Sequence, residues 1–277
     1  MRHDYWSLRV YANPGVIGWN IGEHVGFFNS DFDGDTYVPH FTSPHVNVLN
    51  KSEMSKVYAR LTTLLRLVNG IRVLQNEIEL GAPKELFFHC GMSTRSAGYS
   101  EDLDTFLKEL ENPFDEEILS KLEKRDSNSN RNVYADYFQL IVDEPLVREV
   151  VILLSLSEEQ IIYLLINTYK IFENMRADLK VKPKLETNET NLPESLFNAL
   201  KKINEHNNYI NSREASGILC RHGEKFKAPK EASTLEDIRK DTIYAINEWM
   251  NYKCISKFGR DYNPQPVSDV DPFDDFK

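Results

Sequence analysis

Short apolar segments, set apart by polar and turn-forming residues, mark the first fifty positions. YWSLRVYA (5–12), HVGFFNS (24–30), DTYVPHF (35–41) and HVNVLN (45–50) are short and rich in aromatic and β-branched residues. Gly, Pro, Asn and Asp separate them. They predict four strands, with Asp33-Gly34 as a hairpin turn. The period then becomes helical. Asn50 and Glu53 have capping-box spacing, and Met54, Val57, Tyr58, Leu61, Leu65, Val68 and Ile71 share one face. This predicts one long amphipathic helix over 51–80, weakened at Gly70 and stopped by Gly81 and Pro83. ELFFHC (85–90) reads as a strand. EDLDTFLKEL (101–110) and DEEILSKLEK (115–124) read as short helices.

The polar stretch 124–132 has no apolar period and marks a domain boundary. Beyond it the pattern is helical. EPLVREVVILLSL carries Pro145 at a helix start, and Ser157 with Gln160 has the spacing of a second capping box. Ile161, Ile162, Leu164, Leu165, Ile166, Tyr169, Ile171, Phe172 and Met175 make the next helix apolar nearly all round, which predicts the buried centre of a bundle. A polar connector (180–193) leads to amphipathic helices over 193–210 and 234–253, the second capped by Ser233 or Thr234. The fold class is therefore α+β. A β-rich domain over 1–125 carries the long helix, an all-α bundle covers 133–254, and a flexible acidic tail covers 259–277. That tail holds Phe273 and Phe276 among its Asp residues and is suited to a protein partner.

Composition narrows the function classes. Of 277 residues, 41% are hydrophobic and the formal net charge is -10. Cut after Arg125, the first part has 13 basic and 18 acidic residues and the second has 20 and 25, so each part carries -5. Neither is a basic nucleic-acid module. No apolar run is long enough for a membrane span, and Asp4 interrupts the stretch where a secretory signal needs apolar residues. Three cysteines, Cys90, Cys220 and Cys254, do not describe a disulfide framework. The expectation is a cytoplasmic protein without a cofactor or bound metal.

Three strings and one set of scattered residues carry candidate chemistry. HCGMSTRS (89–96) places Arg95 five positions after Cys90 and resembles the Cys-x4-Arg-Ser loop of rhodanese-type sulfurtransferases, which implies a thiolate held by backbone N–H groups. The resemblance covers eight residues. NSDFDGDTYVPH resembles the start of a calcium loop through Asn29, Asp31, Asp33 and Gly34, but its twelfth position is His40, and a hairpin turn is the preferred reading. Cys220, His222, His89 and Cys90 are four ligand types without the spacing of a zinc knuckle.

The third string is NSREASGILCRHG (211–223). Asn211, Ala215, Ser216, Gly217, Arg221, His222 and Gly223, then Pro229 and Trp249, together with VREVVILLS and YKIFE, form a pattern. The pattern resembles the helical C-terminal half of an uncharacterised bacterial family and covers about half the chain. It also resembles, distantly, the HEPN domains of bacterial toxins and antiviral defence proteins. That resemblance implies a metal-independent ribonuclease acting as a possible homodimer on RNA. His222 would take the 2′-OH proton, Arg221 would stabilise the phosphorane and Glu173 would supply the acid. HEPN motifs separate Arg and His by four to six residues, whereas Arg221 and His222 are adjacent and diverge by about 100° on a helix. A structural role is the competing reading, with His222 on a loop carbonyl and Arg221 paired to an acid. With no complete catalytic motif, the first expectation is a non-catalytic interaction or sensing protein. The HEPN-like ribonuclease is the alternative, and a thiol enzyme using Cys90 comes third.

Overall fold

A computed structural model describes residues 4–11, 21–32, 36–81, 85–90, 93–182, 185, 187–188, 190–221, 227–229 and 233–264. The fold is mixed α and β. In chain order it runs β1 (Tyr5–Arg9), β2 (Gly26–Phe32), β3 (Thr36–Thr42), α1 (Pro44–Asn47), α2 (Met54–Leu74), β4 (Leu86–Cys90), β5 (Ser93–Ala97), α3 (Leu103–Glu111) and α4 (Glu116–Lys121). Then come α5 (Val133–Asp143), α6 (Pro145–Glu159), α7 (Leu164–Asp178), α8 (Glu194–Glu205), α9 (Asn207–Asn211), α10 (Arg213–Ser216) and α11 (Leu235–Phe258). The chain divides into two compact units. The first comprises 1–69, 79–125 and 132–142; the second comprises 70–78, 126–131 and 143–277. The polar stretch 124–132 is thus split between them, and most of α5 belongs to the first unit.

The first unit is built on a five-stranded antiparallel sheet in the order β2-β3-β1-β4-β5. Period-2 alternation assigns its faces. Trp6 and Leu8 lie opposite Phe88, Leu86 and Phe41, and Trp6, Leu8, Phe41 and Leu86 are buried. Tyr5, Ser7 and Arg9 share the other face with His40 and His89. From α2, Val57, Leu61, Leu64, Leu65 and Val68 join the same unit's core. The Asp33-Gly34 turn lies outside the described residues, but β2 and β3 pair antiparallel from Phe32↔Thr36 onward.

Three local predictions change. HVNVLN is not a strand; its first half is α1. Ser43 Oγ accepts from His45 N–H, and Pro44 occupies the first helical turn, a start signal that outweighs the β-branched valines. The long helix begins after a short 3-10 turn at Lys51–Glu53, where the Glu53 carboxylate accepts from Asn50 N–H. It ends at Leu74 rather than at 80. Asn76 takes the left-handed conformation (φ 56°), Glu77 N–H donates to Arg72 O, and Arg72 Nε donates to Ile78 O at 2.5 Å. Gly70 is no weak point. A Cβ there would meet Val151 Cγ1 at 2.5 Å and Val151 O at 2.9 Å, so within the second unit glycine permits the close approach of position 70 to Val151.

In the second unit α6 packs on α7, and α11 packs on α8 and α7. Pro145 opens α6 as expected. Ser157 does not start a helix: it lies inside α6 and donates to Leu153 O, while Asn167 of α7 donates to the same carbonyl and to Ser157 Oγ. The 193–210 helix breaks at His206 into α8 and α9. Thr234, not Ser233, caps α11, with a reciprocal Asp237 contact. The first residues assigned to the tail are built in. Gly259 ends α11 in the left-handed conformation, and buried Arg260 donates to the carbonyls of Asp126, Ser129 and Asn130. Residues 265–277, with Phe273 and Phe276, lie outside the described residues. Among the described residues, no helix is long and apolar enough to cross a membrane.

Candidate functional site

Arg221 follows a short 3-10 turn (Gly217–Leu219) and is not on a helix. Its N–H donates to Ile210 O at 3.0 Å. Its guanidinium lies 3.5 Å over the ring of Tyr169 and reaches Asn211 Oδ1 at 3.5 Å. Tyr169 belongs to α7, one turn before Glu173, so Arg221 is drawn onto the helix that carries Glu173. Glu173 itself accepts from Arg176 at 2.8 Å, one turn further along. His222 lies outside the described residues. Two of the three candidate residues therefore attach to one helix, Arg221 through Tyr169.

The start of α7 departs most from expectation. The apolar run predicted a buried helix, and Leu164, Leu165, Ile171, Phe172 and Met175 are indeed buried. The turn before and at its beginning is not. Ile161, Ile162, Tyr163 and Ile166 expose 54%, 51%, 45% and 38% of their surface. Ile162 and Ile166 lie one turn apart on one face. Exposed apolar side chains grouped in one turn of chain are candidates for contact with another surface. Sequence alone could not separate it from core, because an all-round apolar helix has no polar side to mark the solvent.

Cys90 ends β4 and is exposed, directly opposite Ser93 across the β4–β5 pair. The Cys-to-Arg string is a strand pair rather than an anion-binding loop opening a helix. A hydrogen bond to Asp4 and that residue's negative charge push the Cys90 thiol up, the reverse of nucleophile activation. His89 and Cys90 are consecutive on a strand and point to opposite faces. Both His89 ring nitrogens are engaged, Nε2 with Ser7 Oγ at 2.8 Å and Nδ1 with Thr94 Oγ1 at 3.0 Å. His89 and Cys90 are therefore not presented together as a ligand pair, and no group of three or more His, Cys, Asp or Glu side chains that could hold a metal ion occurs among the described residues. Asn29 lies within β2 and His40 within β3, so the calcium-like string forms two strands of the sheet.

The first unit contains two buried histidine pairs that the motif search missed. Ser7 Oγ sits between His40 Nδ1 (2.9 Å) and His89 Nε2 (2.8 Å), with Tyr5 stacked on His89 and Phe28 on His40. Burial first, then His89 and Arg9, bring the His40 pKa down to about 4; burial also lowers His89. His45 Nδ1 accepts from Asp115 N–H at 3.0 Å, so Nε2 carries the proton and donates to His24 Nδ1 at 3.0 Å. Burial, His24 and Arg60 bring His45 down to about 3, against the opposing charge of Asp115. Ser7 resembles a nucleophile between two bases, but Ser7, His40 and His89 are all buried and serve as a polar core. The alternation of Tyr5, Ser7 and Arg9 on one strand face is the trace of this cluster in the sequence.

Comparison with known protein families, with curated proteins and with solved structures finds no match.

Proposed function

We propose that the protein works by binding, as an interaction protein whose docking surface is the apolar turn Ile161, Ile162, Tyr163 and Ile166. The exposure of these four side chains carries the reading. Its partner is another protein, presenting apolar side chains framed by basic residues. The net charge of -10 opposes self-association and favours a cationic partner. The test places a photo-crosslinking amino acid at position 162 in cells and identifies adducts by mass spectrometry. A single basic protein is expected, its adduct lost and its affinity reduced at least tenfold by Ile162→Asp with Ile166→Asp. Adducts at twice the chain mass would assign the surface to a second copy instead. Failure to form any adduct would refute the reading.

A HEPN-like ribonuclease is the second reading, favoured by the seating of Arg221 one turn from Glu173 on α7. In this reading His222 is the general base and Arg221 stabilises the phosphorane. Incubation with a mixed RNA pool in EDTA should give cleavage by the wild type and none by His222→Ala. Equal traces for both proteins would eliminate it.

A further inference from the structure

A second constellation lies in the second unit, at the start of α11. His206 is the C-terminal cap of α8, Asp241 lies in the second turn of α11, and Ser233 immediately precedes the Thr234 cap. Ser233 Oγ is 2.8 Å from His206 Nδ1, and His206 Nε2 is 2.8 Å from Asp241 Oδ2. The carboxylate can only accept, so Nε2 carries a proton, and in the neutral ring the Nδ1 lone pair faces the serine hydroxyl. Burial raises the Asp241 carboxyl, but its bonds to His206 and to Lys202 (3.4 Å) outweigh this and hold it below the usual range. It is therefore ionised and able to stabilise an imidazolium. Ser233 is partly exposed, whereas His206 is buried. The roles match those of serine hydrolases, with the two ring nitrogens used in the opposite order.

We propose that Ser233, His206 and Asp241 form a hydrolytic triad acting on carboxylic esters, an activity beyond the binding role above. Ser233 Oγ attacks the ester carbonyl carbon while its proton passes to His206 Nδ1. The carbon–oxygen bond to the alcohol breaks, and His206 returns the proton to the departing alkoxide. Water then attacks the acyl-serine, its proton again going to His206, and the acid leaves as the serine is restored. Ser233 and His206 are the catalytic residues, and Asp241 positions the ring. The charge developing on the carbonyl oxygen falls to the first-turn N–H groups of Leu235 and Glu236. Neither has an acceptor among the described residues, whereas Asp237 N–H is taken by Thr234 Oγ1 and Ile238 N–H by Thr234 O.

The full-length chain is treated with a tagged fluorophosphonate, and the adduct is mapped by mass spectrometry. Labelling at Ser233 in the wild type is expected, with loss of label in Ser233→Ala. Asp241→Asn should slow labelling at least 100-fold with little change in thermal midpoint, because the amide keeps the hydrogen bond but imposes the wrong tautomer. Mapping on the wild type makes the central result independent of whether the variants fold. No label on folded wild type, or label on a different residue, overturns the proposal. An Asp241→Asn rate equal to wild type removes Asp241 from the triad and overturns it in this form.

Discussion

Arg60→Met is expected to destabilise the protein by about 3–5 kcal/mol, the range for removing one partner of a buried ion pair. Arg60 Nε donates to Glu109 Oε2 at 2.6 Å and Nη2 to Glu109 Oε1 at 3.2 Å, a fork on a carboxylate. Both side chains are almost wholly buried. Nη1 also donates to His45 O at 2.7 Å and lies 3.7 Å from Asp115 Oδ2. Methionine fills comparable volume, so the loss is that of the charge and its bonds. The Glu109 carboxyl is then left in a dry site without its partner, and His45 O loses a donor. Denaturant unfolding of wild type and variant measures the effect. The double variant Arg60→Met with Glu109→Leu should recover part of the loss, because the stranded carboxylate is gone. A single-variant loss below about 1 kcal/mol would mean that the pair is solvated in solution and would contradict the burial.

Stability is expected to fall as the pH drops from about 6.5 towards 4. An unfolded histidine titrates near 6.5, whereas the folded protein holds His40 neutral to about pH 4 and His45 to about pH 3. Between these values the unfolded chain binds more protons than the folded one. The stabilisation is therefore complete above about pH 6.5 and is lost on acidification. Each proton of difference contributes a slope of about 1.4 kcal/mol per pH unit, so the two rings together approach about 3 kcal/mol per unit near pH 5. The groups facing them act in the same direction with one exception: His89 and Arg9 oppose a charge on His40, His24 and Arg60 oppose one on His45, and Asp115 favours it. Protonation of His45 at Nδ1 would also abolish its acceptance from Asp115 N–H. Guanidinium unfolding at pH 7, 6 and 5 gives the slope, and imidazole nitrogen resonances report the tautomers. A free energy unchanged from pH 7 to 5 would show that neither ring is held neutral.

Much of the local structure was legible along the chain. Thr234 caps its helix, Pro145 opens one, short helices form at Leu103–Glu111 and Glu116–Lys121, and the strands at Tyr5–Arg9 and Leu86–Cys90 fall within the aromatic and β-branched segments. Those signals act over a few residues, because caps and helical ladders bond neighbours in sequence. The misplaced ends have local causes as well. Ser43-Pro44 outweighed β-branched residues, and the turn through left-handed Asn76 ended the long helix before the stop read at Gly81.

The sequence by itself determined the α+β class, the run of helices in the second half, and Arg221 and Glu173 as chemical candidates. Tertiary structure alone decided which polar groups meet. Ser7, His40 and His89 come from three strands; Arg60 and Glu109 are 49 residues apart; Ser233 and Asp241 reach His206 from 27 and 35 residues away. It also decided that Ile162 and Ile166 face solvent while Leu164 and Leu165 do not. Pairings between distant residues depend on strand order and helix packing, and these arise from the summed burial of many apolar side chains rather than from any short window of sequence.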